Sequence, residues 1–106
     1  MIDTGMLSRR HMEKAGYEIG KVEYFNSYSN HMHDLFGFID YVCIGNGHTI
    51  GLQTTSWGHM SEHRRKILGE PRHKKWKESG NLILLHGWEA VPNGKRNKYV
   101  LHEEWI

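Results

Sequence analysis

The sequence predicts one α/β domain in the order α-β-β-β-α-β-β, and three stretches carry that expectation. In "GFIDYVCIGNGHTIGLQTTS" an Asn46-Gly47 pair sits between two apolar runs, the strongest short-range signal of a β-hairpin. The following "HMSEHRRKIL" abandons the two-residue period for good helix formers, with Glu62 four residues ahead of Lys66. "NLILLHGW" is a continuous apolar run of strand length, the pattern of a strand buried on both faces. With 106 residues, 38% of them hydrophobic, the chain can build one small core and is too short for two.

The elements follow in order. Asp3 is a suitable N-cap for "TGMLSRRHMEKA", and Gly16 suits the position just past that helix. "YEIGKVEYF" mixes aromatic and β-branched residues and stops at the polar "NSYSN", so residues 17–25 read as a strand. A second strand is expected from Leu35 to Ile44, with a return from Thr49 to Thr55. A helix over His59–Leu68 ends at Gly69 and Pro71, "RHKKWKES" adds a second short one, and Gly80 closes it. After "NLILLHGW" the "PNGKRN" segment reads as a loop and "KYVLHEEW" as the last strand. No linker, repeat or low-complexity segment interrupts this order.

Composition narrows the function classes. Cys43 stands alone in an apolar run, which rules out an intramolecular disulfide or a multi-cysteine metal cage and fits a reducing compartment. The longest apolar runs fall far below the roughly 20 residues needed to cross a bilayer, so a soluble, unsecreted, cytoplasmic protein with no membrane partner is expected. The net charge of +2 is slight, but cations bunch in "HRRK", "RHKKWK" and "GKRNK". Clusters of this kind beside Trp and His suit a phosphate backbone, and singly each also suits a solvated face. Trp57, at the entrance to the first of them, is placed to stack on a base.

A two-residue Asn46-Gly47 turn fixes the hairpin register. Gly45 pairs with His48, Val42 with Gly51, Tyr41 with Leu52, Asp40 with Gln53 and Phe38 with Thr55. Asp40 and Gln53 then have Cβ atoms roughly 5 Å apart, with Thr55 on the same face. An aspartate inside an apolar strand is costly unless it is paired, hydrogen-bonded or bound to a metal. Asp34 shares the face of Asp40 by parity but lies six residues away, roughly 20 Å along an extended strand. It is therefore expected at the strand entry or against a nucleic acid, not on the same ion.

The order helix, strand, "GFIDYVCI", hairpin, "IGLQTTS" and basic helix resembles the PD-(D/E)XK nuclease superfamily, and within it the small phage-type or Holliday-junction-resolvase-like members. The resemblance spans roughly Met6 to Trp88. It implies a restriction-endonuclease-like αβββαβ core with a central mixed sheet flanked by helices. It also implies Mg²⁺ or Mn²⁺ as cofactor, hydrolysis of DNA phosphodiesters with branched or structured DNA among the substrates, and a bacterial or phage-infected cell as the setting. By position Asp40 matches the superfamily's aspartate, Gln53 its glutamate and Thr55 its lysine, while Glu23 is the upstream acid that completes the metal site. Arg64, Arg65 and Lys66 on the following helix would contact DNA, with Lys66 or Arg64 replacing the absent lysine charge. A homodimer is expected where the substrate is two-fold symmetric.

Gln53 and Thr55 depart from that pattern, because an amide brings no charge to a cation that prefers carboxylates. A nuclease fold that binds nucleic acid without cutting it, and a protein-interaction domain, stay open. The nine histidines raise a zinc site, above all His59 and His63 at i,i+4, although their glutamate stands in the wrong place for a metalloprotease. No nucleophile elbow or phosphate-binding glycine loop appears.

Overall fold

The computed structural model describes residues 3–106. Asp3 caps the first helix, α1 (Thr4–Lys14), by accepting from the Gly5 amide at 2.9 Å, and the chain leaves it through Gly16 at φ 94°. The strands are β1 (Glu18–Lys21), β2 (Tyr24–Asn26), β3 (His31–His33), β4 (Tyr41–Gly45), β5 (His48–Ser56), β6 (Leu82–Asn93) and β7 (Arg96–Trp105). A 3₁₀ turn at Trp57–His59 leads from β5 into α2 (Met60–Gly69), and α3 (Arg72–Glu78) follows.

A five-stranded mixed sheet in the order β1-β4-β5-β6-β7 forms the centre, with β5 and β6 parallel and the other neighbours antiparallel. The β2–β3 hairpin stands outside it as a separate two-stranded sheet. With that hairpin taken as an insertion and the short α3 counted as an extension of the α2 crossover, α1, β1, β4, β5, α2 and β6 run in the order αβββαβ, so the α/β class with a helix-flanked mixed sheet holds. Side chains alternate across the sheet and build two cores. Ile50, Leu52, Leu84 and Cys43 pack with Met12 of α1, whereas Ile83, Leu85, Phe38 and Ile39 pack with Met60 and Ile67 of α2. β6 is buried on both faces from Ile83 to Gly87, as its unbroken apolar run predicts.

Four expectations are corrected. The predicted strand 17–25 breaks at Val22 and Glu23, and its second half pairs with His31–His33 instead. That pairing closes over the polar "NSYSN", where Asn26 Oδ1 accepts from the Tyr28 amide at 2.9 Å and Asn30 adopts φ 58°. The strand expected from Leu35 begins only at Tyr41. Phe36 (φ 53°) and Gly37 (φ 79°) turn the chain back on itself there, with Leu35 bridged to Ile39. Phe38 is consequently core and does not oppose Thr55, although the register from Gly45↔His48 to Tyr41↔Leu52 is as the turn dictates. Finally, "PNGKRN" is no loop, because β6 and β7 stay paired up to Asn93↔Arg96 around Gly94 and Lys95. Among the described residues no helix is long and apolar enough to cross a membrane.

Candidate metal centre

Asp40 sits one residue before β4 and extends its ladder on both sides, its amide donating to Leu52 at 2.9 Å and its carbonyl accepting from Val22 at 3.0 Å. That backbone pinning fixes the direction of a side chain only 5% exposed. Oδ2 accepts from Gln53 Nε2 at 2.6 Å and from the Thr54 amide at 3.1 Å. Asp40 and Gln53 are therefore the cross-strand neighbours that the register predicts.

The Leu35–Ile39 turn adds what the sequence did not disclose. It folds Asp34 back beside Asp40, and the break after β1 brings Glu23 to the same point. Glu23, Asp34 and Asp40 each offer a carboxylate oxygen, all within 4.8 Å of one another. The expectation that Asp34 stands roughly 20 Å off fails because residues 34–40 form a turn and not an extended strand.

Three acids packed this closely cannot all ionise at neutral pH. Burial, followed by the hydrogen bond to Asp34 and its charge, pushes the Asp40 carboxyl up to about 9, with Glu23 adding to the effect. Burial would also raise Asp34, but the hydrogen bond with Asp40 and the Lys66 ammonium outweigh it and hold that carboxyl below its ordinary value. In this state Asp40 carries the shared proton and Asp34 the charge, with Lys66 Nζ donating to Asp34 Oδ2. Gln53 is 2% exposed, and its Oε1 has no hydrogen-bond partner. A buried orphan carbonyl oxygen on the side chain that already grips Asp40 is an unused oxygen ligand. Thr55, 8% exposed, follows two residues along the same strand face.

The basic helix is only partly free. The Arg64 guanidinium forks onto Glu104 of β7, with Nε 2.7 Å from Oε2. Lys66 is held by Asp34, and Arg65 is exposed. Half-exposed Trp57 stacks flat on His102, centroids 4.7 Å apart and planes 15° from parallel. His59 lies 3.4 Å from Glu62, and His63 is turned toward the Asp34 side of α2, where burial and then the Lys66 charge lower its pKa. Cys43 is fully buried, and burial pushes its thiol up to about 11, so it is an inert packing group.

No protein-family model matches the chain, and no curated protein is significantly similar to it.

Proposed function

We infer that the protein is a metal-dependent nuclease that hydrolyses phosphodiester bonds in DNA. The observation that carries the reading is the convergence of Glu23, Asp34 and Asp40 beside the orphaned Gln53 oxygen. The donor set consists entirely of oxygen and fits a hard divalent cation such as Mg²⁺ or Mn²⁺. Asp40, Asp34 and Glu23 would hold the ion with Gln53 Oε1. When bound, the metal supplies Lewis acidity toward a phosphodiester oxygen and lowers the pKa of a water.

The chain's own groups do the rest. Asp40 would release its shared proton to solvent on holding the cation, because a nearby positive charge favours the carboxylate. Lys66, anchored through Asp34, keeps an ammonium at the cluster, where it can offset charge gathering on a phosphate. It would supply the charge that Thr55 lacks, and the Thr55 hydroxyl would be left to orient a water or a phosphate oxygen. The helix-flanked mixed sheet, with Asp40 at the entry to the β4–β5 hairpin and Gln53 on its return strand, supports the same reading.

A binding module that does not cut is the competing reading, and the neutral Gln53 and Thr55 favour it. Incubating purified protein with labelled DNA in Mg²⁺, in Mn²⁺ and in chelator separates the two. Cleavage in either metal, lost in chelator and in Asp40→Asn, is expected. Intact DNA under every condition, unrescued by Gln53→Glu, would leave the binding module standing.

A further inference from the structure

One acid of the cluster, Asp34, borders an aromatic trough. Tyr24, His33, Asp34, Phe36 and Arg72 line a cleft of about 360 Å³. Phe36 and Arg72 also wall a neighbouring cleft of about 320 Å³ that reaches Lys75 and Trp76. The two clefts share Phe36 and Arg72, which stand between Asp34 in the first and Lys75 and Trp76 of α3 in the second, and together they mark out a path from Asp34 to α3.

The walls of this path are unusual for a water-facing surface. Tyr24 and Phe36 are 54% and 43% exposed. The Tyr24 ring stacks on His33 with centroids 5.6 Å apart, which presents a flat π face, and the Arg72 guanidinium lies 5.7 Å from the Phe36 centroid. Phe36 holds its ring outward from φ 53°, a left-handed conformation that suits glycine or asparagine and that bulky side chains rarely adopt. Along α3, Lys74, Lys75 and Lys77 are exposed and form no ion pair among the described residues, in contrast to Arg64 and Lys66 of α2. The trough thus combines exposed aromatic faces with one uncompensated cation, Lys75, beside Arg72, whose Nε is held by Glu70, and this pairing of rings and positive charge suits a polyanion of stackable bases.

We propose that the trough takes an unpaired DNA strand, its bases stacked on Tyr24 and Phe36 and its phosphates on Arg72 and Lys75, and leads that strand to the acidic cluster. This rests on the nuclease reading for its direction, since the Asp34 end is where the backbone would be cut. Paired bases keep their faces inside the helix and cannot stack on these rings, so the substrate class is DNA with a single-stranded segment.

Fluorescence anisotropy in chelator reads binding apart from chemistry, with a labelled oligothymidine 15-mer and a 15-base-pair duplex as probes. The single strand is expected to bind about tenfold tighter than the duplex, and Tyr24→Ala or Phe36→Asn to lose about tenfold on the single strand alone. Phe36→Asn relieves the backbone conformation, so its melting temperature should hold or rise while binding falls, and Phe36→Tyr should restore binding. Lys75→Ala should reduce the slope of log affinity against log salt by about one. Equal affinity for both probes, single-strand binding unchanged in both aromatic variants, or binding of neither probe would overturn the proposal. Single-strand binding that needs the aromatics, with no metal-dependent cleavage, would sink the nuclease reading and keep the trough. Cleavage of duplex unaffected by the aromatic variants would do the reverse.

Discussion

The two faces of the central sheet each bury a polar cluster, and only one of them is chemically closed. On the α1 face, Ser8 Oγ lies 2.8 Å from His86 Nδ1, 3.1 Å from Thr54 Oγ1 and 2.9 Å from the Trp88 indole nitrogen that donates to it, while His86 Nε2 lies 2.9 Å from Glu103. The order Ser-His-Glu imitates a nucleophilic triad, yet Ser8 and His86 are both fully buried and every polar atom there is occupied. On the α2 face the acids crowd one another and Gln53 Oε1 goes unpartnered. A closed network specifies how α1 docks on the sheet, whereas an open cluster of like charge is stable only with something bound or with a trapped proton.

The largest contrast should come from paired substitutions. Asp40→Asn removes a ligand and is expected to cut metal-dependent cleavage at least about a hundredfold. Ser8→Ala strands the Trp88 indole and His86 Nδ1, so it should cost about 2 kcal/mol of unfolding free energy while leaving cleavage per folded molecule unchanged. A Ser8→Ala protein that folds as well as wild type but no longer cuts would move the chemistry to the α1 face.

Stability against pH should divide the faces next, measured by denaturant unfolding in chelator. Burial pushes His86 down to about 4, against the partial opposition of Glu103, so between pH 4 and 6.5 the unfolded chain binds more protons and stability rises with pH. Asp40, raised to about 9, has the opposite sign: its contribution is complete below the ordinary carboxylate range and is lost as pH climbs toward 9. In Asp40→Asn the amide can donate to Asp34 as the trapped proton does. That variant should therefore show a rise carried mainly by His86, on the order of 3 kcal/mol, with His63 adding in the same direction, and a flat profile above it. Wild type should decline from pH 7 to 9. Identical profiles would mean that Asp40 titrates normally.

Smaller effects sharpen the open face. Gln53→Glu adds the charge that a hard cation prefers, so it should tighten Mn²⁺ about tenfold while lowering stability in chelator, where a further buried acid must be accommodated. Arg64→Ala should have the least effect on cleavage, since its guanidinium is spent on Glu104. Loss of cleavage comparable to Asp40→Asn would return Arg64 to the site.

The closed hairpin turn made much of this legible. Asn46-Gly47 sets the register to Tyr41↔Leu52, and with it the meeting of Asp40 and Gln53. Asp34 was hidden because its approach depends on Phe36 at a positive φ, which no propensity for phenylalanine suggests; only Gly37 hints at the turn. The β2–β3 hairpin was hidden because "SNHMH" carries no alternating apolar pattern and gains its pairing from neighbours in space. Ser8 meets His86 across 78 residues of sequence, a contact for which no local signal exists. Lys66 was identified from charge alone, and the structure shows why it stays near the acids: Asp34 holds it.

Calorimetric titration of Mn²⁺ into the protein at pH 6 and pH 8, in two buffers of different ionisation enthalpy, tests the central claim most directly. The account predicts one site, affinity that strengthens with pH, and release of about one proton per ion from Asp40, with no such binding in Asp40→Asn. Absence of binding in wild type, or equal binding in Asp40→Asn, would contradict it.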